Sequence, residues 1–140
     1  MRRGRYQFLI CMFLQLPLWP MRISIILLHA FIGWSICGAT IGIAFRFTSE
    51  SNALIIHALA VPVVFGIISL IYFRNFHYTS ALTTAFIFLI FTIVADSLLV
   101  ALIIQNSLVM FGSFMGTWIP FILIFSTTYI IGSLVKKRAA

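Results

Sequence analysis

Two side chains stand inside apolar runs where packing alone has no obvious use for them, His57 and Asp96. Asp96 is one of only two acids in the chain, the other being Glu50. An ionisable group at membrane depth is a functional-site hypothesis by default. A carboxyl near an imidazole is a pairing that can relay protons or hold a cation, with Asn106 or Thr117 available at the mouth of such a site. The plainer reading, which the sequence favours, is that Asp96 is protonated or hydrogen-bonded to a neighbouring helix and His57 is interfacial.

Other chemistry finds little support. There is no P-loop, HExxH, GxSxG, Cys/His cluster or paired carboxylates, so no residue set supports an enzyme. The two cysteines, Cys11 and Cys37, have no ligand spacing, and neither a disulfide framework nor a metal site is expected. Haem, and with it any cofactor, is not expected either, because His29 and His57 differ in depth by about 15 Å. His77 falls in a turn. Ser126, Tyr129 and Ser133 share helical spacing but read as ordinary packing and belt residues.

The elements that must position these groups follow from composition. With 63% hydrophobic and 8% charged residues and a mean hydropathy of +1.19, the chain is too apolar for a soluble globule. The expected fold is all-α, a bundle of four transmembrane helices over 23–45, 53–73, 81–104 and 112–135. Residues 1–22 form a basic and apolar N-terminal extension, and 136–140 a basic tail. The apolar part of the extension, Phe8 to Trp19, would be about 18 Å long as a helix, short of a hydrocarbon core of about 30 Å. It reads as interfacial, as signal-like without a small-x-small cleavage site, or as preceding a true start at Met21.

Within the spans, Gly38 and Gly42 form a GxxxG pair, as do Gly112 and Gly116. With Gly66, on a face shared by Ala58, Pro62 and Ser69, they are the candidate helix-packing residues. Pro62 and Pro120 are expected to kink their helices, Pro62 by removing the hydrogen bond to the Ala58 carbonyl. Ser49, Ser51 and Asn52 are all possible caps for the second span, and Thr79 or Ser80 for the third. A central Asp costs about 2.5–3.5 kcal/mol on insertion, while each Leu, Ile, Phe or Val returns about 0.3–0.6. The third span therefore inserts without Asp96 being paired. Measured from the outer ends of their helices, Asp96 lies about 12 Å deep and His57 about 6 Å. The second and third spans read as antiparallel neighbouring helices, and these depths in the outer half of the membrane allow the two residues to touch without requiring it.

Charge orients the bundle. Arg2, Arg3, Arg5, Arg22, Arg74, Lys136, Lys137 and Arg138 share one side and only Arg46 the other, so the positive-inside rule puts both termini in the cytoplasm of a cell (plasma) membrane. Although the net charge is +7, the basic residues stand at the ends of apolar runs. The expected partners are therefore the bilayer and its anionic headgroups, not nucleic acid. The leading functional expectation is a non-enzymatic component that packs through its glycine faces with its own copies or another membrane protein. The alternative is a proton- or cation-coupled small transporter or channel component using Asp96 with His57, and a lipid-modifying enzyme is a weaker third.

Overall fold

The computed structural model describes residues 18–99 and 112–139. Within them lie α1 (Leu18–Phe47), α2 (Glu50–Asn75), α3 (Ala81–Ala95) and α4 (Ile119–Ala139). A π-helical turn over residues 96–99 continues α3, and another, Phe114–Trp118, leads into α4. Four helices are long and apolar enough to cross a membrane. The fold is all-helical among the described residues, as the composition requires. The turn at Gln105 to Ser107, with Asn106, and most of the N-terminal extension lie outside the described residues.

Each helix buries one narrow stripe at alternating spacings of three and four, the geometry of helices crossing at shallow angles. On α1 the stripe is Ile26, Ala30, Gly33 and Cys37; on α2 it is Val61, Phe65, Ile68 and Tyr72. On α3 it is Thr84, Phe88, Thr92 and Ala95, and on α4 Phe121, Ile124, Thr128 and Gly132. The opposite faces, with Ile43, Leu59, Ile90 and Ile122, are exposed and apolar, as lipid-facing surfaces must be. Around the bundle the helices run in the order α1, α2, α4, α3. The expected adjacency of the second and third spans is therefore corrected: α2 and α3 face each other across the diagonal. They meet there through long side chains, as where the Phe65 and Phe88 rings lie 5.8 Å apart.

Turn chemistry sets the connections. The first loop shrinks to Thr48 and Ser49, because α1 runs on through Arg46 to Phe47 and α2 starts at Glu50. The Ala44 carbonyl near the end of α1 accepts from both the Thr48 N–H and the Thr48 hydroxyl. Glu50 in the first turn of α2 suits the positive end of the helix dipole. The second connection is Phe76–Ser80; His77 adopts a left-handed backbone with φ 45°, and its N–H bonds the Tyr72 carbonyl to close α2. Ser80 Oγ then accepts from the Thr83 N–H, the capping expected for this serine. Arg22, at the start of α1, stacks over the Tyr78 ring at 5.4 Å, so the start of α1 and the α2–α3 connection share one end of the bundle.

The two prolines behave differently. α2 runs unbroken through Pro62. Pro120 lacks the N–H that would bond Gly116, and the turn before it widens so that Ile119 N–H bonds the Phe114 carbonyl, the i→i−5 pattern of a π turn.

The candidate packing glycines differ in their surroundings. Among the described residues, a Cβ at Gly38, Gly42 or Gly112 would meet nothing within 4 Å. Spacing marks a face without saying where that face points. Gly66 makes ordinary contact with Thr127 at 3.5 Å, and Gly116 lies 3.3 Å from Leu54. The close approaches are elsewhere: at Gly33 a Cβ would lie 3.1 Å from Phe65, and at Gly132 it would lie 2.6 Å from Phe73 and 2.7 Å from Ala81. Gly132→Ala should therefore cost about 1–3 kcal/mol by overpacking, while Gly38→Ala should stay within about 0.5 kcal/mol. Unfolding in detergent measures both, and equal losses would contradict this helix arrangement.

Candidate functional site

At the end of the bundle nearer the termini the centre is filled. Phe65, Tyr72, Phe73 and Phe88 form its core, and Tyr72 is fully buried. Its hydroxyl bonds Thr79 Oγ1 at 2.9 Å, Thr79 Oγ1 bonds Thr84 Oγ1 at 2.7 Å, and Thr84 donates to the Ser80 carbonyl at 3.0 Å. Ser69 donates to Thr128 at 3.1 Å between α2 and α4. This end also holds His29, whose Nδ1 lies 2.7 Å from the Ile25 carbonyl and whose ring packs on Tyr72 and Phe76.

Toward the α1–α2 loop the same stripes change character. α1 presents Gly38 and Gly42, α3 presents Thr92 and Asp96, and α4 with its leading turn presents Ser113, Gly116 and Thr117. Side chains this small cannot fill the centre, and a cavity of about 910 Å³ opens between all four helices. The cavity is open at one end, and its lining joins a few polar side chains to a larger apolar surface.

Asp96, His57 and Glu50 all line this cavity. The structure thus brings the two sequence candidates into one chamber and adds the second acid, Glu50, which no spacing or motif had linked to them. No direct hydrogen bond joins His57 to Asp96 among the described residues. Asp96 instead accepts from the Trp34 indole N–H at 2.7 Å, across from α1 to α3. Its own backbone N–H is shared between the Ile93 and Thr92 carbonyls, where the α-helix gives way to the π turn; such irregular turns are frequent at functional sites. The His57 ring sits beside the Cys37 backbone, and its Nδ1 is buried with no hydrogen-bond partner among the described residues. An orphaned buried nitrogen costs about 1–3 kcal/mol.

Depth orders the lining. At 1.5 Å per residue, Val61 and Phe65 lie about 16–23 Å along α2 from Glu50, and Trp34 about 20 Å along α1 from its end at Phe47. Glu50 therefore stands at the mouth, His57 part-way down, and Asp96 with Trp34 near the aromatic floor. Of the other candidates, Thr117 lines the cavity, Ser126 lines a separate apolar groove between α3 and α4, and Tyr129 is exposed and stacks on Phe125. Among the described residues no group of three or more His, Cys, Asp or Glu side chains could hold a metal ion.

Trp34 is the site residue that sequence reasoning missed, although a signal existed. Tryptophans of membrane helices gather at the interfaces, and a tryptophan in mid-span needs a partner for its N–H; Asp96 was the acceptor available at that depth. No family model, curated protein or solved structure matches the chain, so the functional reading rests on this geometry.

The Trp34–Asp96 bond is measurable. Hydrogen bonds between membrane helices average about 0.6 kcal/mol and reach about 1.7. A double-mutant cycle of Trp34→Phe and Asp96→Asn should give coupling in that range, read from unfolding in detergent; strictly additive losses would show the bond is not formed.

Proposed function

We propose that this chain is a small membrane transporter or channel component whose solute or coupling ion occupies the cavity at Asp96, with His57 part-way along the route. The observation that carries the reading is a deep carboxyl and an orphaned imidazole nitrogen set around one chamber. Energetics supports it: one hydrogen bond of about 0.6–1.7 kcal/mol does not offset the insertion cost of Asp96, about 2.5–3.5 kcal/mol. A residue kept at a net cost in stability is more readily explained by use than by packing.

In this reading the protein lies in the plasma membrane with both termini in the cytoplasm, and the cavity opens outward. Arg22, Arg74 and the basic run Lys136–Arg138 favour that orientation, with Arg46 alone on the far side. A second reading, a component that packs with its own copies or another membrane protein, draws on the exposed apolar outer faces of the helices, with Ile43, Leu59, Ile90 and Ile122.

Two outcomes follow. In proteoliposomes, Asp96→Asn should abolish a proton- or cation-coupled flux while the melting transition is retained; absence of any flux in the wild type would favour the packing reading. With Cys11→Ser and Cys37→Ala, a cysteine at Gly42 should react with a membrane-impermeant maleimide applied outside cells, whereas one at lipid-facing Ile43 should not. Labelling only after the membrane is opened would reverse the orientation.

A further inference from the structure

We infer that the cavity takes a protonated amine carrying an apolar body, its ammonium group at Asp96 and its body on the aromatic floor. The inference rests on the proposed reading of this chamber as a solute site and names the class of solute.

Charge is the first argument. Among the described residues the cavity is lined by both acids of the chain, Glu50 and Asp96, and by neither Lys nor Arg. In a chain of net charge +7 this is a local reversal of sign. Within low-dielectric walls it would concentrate cations and repel anions. Glu50 at the mouth acts over distance, and Asp96 at the floor supplies contact.

Size and shape argue against a bare ion. About 910 Å³ falls in the range of pockets for organic ligands, about 300–1,000 Å³. A desolvated metal ion needs several oxygen or nitrogen ligands drawn tightly together, and among the described residues no such group exists.

The walls supply the third argument. Trp34, Phe45, Phe65 and Phe121 line the cavity with Val61 and Ile124. Aromatic faces attract organic cations, most strongly where water is excluded. Trp34 already donates to one oxygen of Asp96, Oδ1, which holds the carboxyl beside an indole ring. An ammonium group can then meet the carboxylate and an aromatic face together, while its hydrocarbon portion covers Val61, Phe65 and Ile124. A neutral solute of the same shape gains only the second set of contacts, and an anion is repelled by Asp96.

The test compares three probes of one size on the full chain in detergent: 3-phenylpropylammonium, 3-phenylpropanol and 3-phenylpropanoate. Calorimetry should show the ammonium binding about tenfold or more tightly than the alcohol, the range for a hydrogen bond to a charged group, and the carboxylate not at all. Asp96→Asn should remove that preference and leave the affinity for the alcohol unchanged. Should Asp96→Asn fail to fold, the wild type still decides. Dicyclohexylcarbodiimide should modify Asp96, as mapped by mass spectrometry, and the ammonium should protect it where the alcohol does not. Equal binding of ammonium and alcohol, or equal protection by both, would overturn the inference. A chain that carries an Asp96-dependent proton flux without preferring the ammonium loses this inference and keeps the transport reading. One that binds the ammonium at Asp96 without flux does the reverse.

Discussion

Lipid tails are as apolar as leucine, so burying apolar surface between helices gives this bundle almost no net driving force in a membrane. What holds it together is close packing and the few polar contacts that lipid cannot replace. Tyr72 is where the two coincide. Its ring meets His29 of α1, Phe73 of its own helix and Phe88 of α3, and its hydroxyl reaches Thr79 in the connection that follows. Aromatic pairs contribute about 0.5–1.5 kcal/mol each beyond their buried area, and each hydroxyl bond adds a few tenths to somewhat over 1 kcal/mol. Gly33 and Gly132 let Phe65 and Phe73 come close enough to complete this plug. The rest of the architecture is arranged relative to it.

The same helices that close at one end open at the other without any break in their stripes. Along α1 the inward positions pass from Ile26 and Gly33 to Cys37, beside which the exposed Gly38 and Gly42 face the cavity; along α3 they pass from Phe88 to Thr92 and the half-buried Asp96. The change is one of side-chain volume and polarity at constant spacing. Thr92 stays harmless because its hydroxyl returns to the Phe88 carbonyl at 2.9 Å, a bond within its own helix. Asp96 has no such local solution and reaches across to Trp34. That contact fixes α1 against α3 beside the cavity, so one interaction both limits how far the chamber can open and holds the carboxyl within it.

Much of the architecture was legible in the apolar runs, because a helix in lipid must satisfy its backbone internally and its length must match the membrane. Ser80 was legible as a cap because it follows a polar turn and precedes an apolar run. The first loop was not, since Ser49, Ser51 and Asn52 offer three equivalent caps, and only the placement of Glu50 at a helix start distinguishes them. Packing partners were read least well. Gly38 and Gly42 have the motif spacing but face the cavity, while Gly132, the tightest glycine, belongs to no motif. Helix order around the bundle is likewise invisible locally: a five-residue connection allows α2 and α3 to be either adjacent or diagonal. The cavity depends on that order, because α1 and α4 must stand between α2 and α3 for Trp34 to meet Asp96 and for Gly116 to face Leu54.

The closed end bears most directly on what the open end can do. A solute that reaches Asp96 from the α1–α2 side meets Phe65, Tyr72 and Phe88 beyond it. The polar groups of that half, Ser69 with Thr128 and Tyr72 with Thr79 and Thr84, are already bonded to one another. Binding needs nothing from this plug, since the chamber is formed as it stands. Passage of a bulky solute needs the plug to separate, and the contacts around Tyr72 set the barrier to that motion. Passage of a proton needs less: hydroxyls can exchange partners along a chain by rotating, without the helices moving apart. Under the proposed reading, the asymmetry of the bundle makes proton movement and solute movement different physical problems, with Asp96 at the boundary between the open chamber and the packed half.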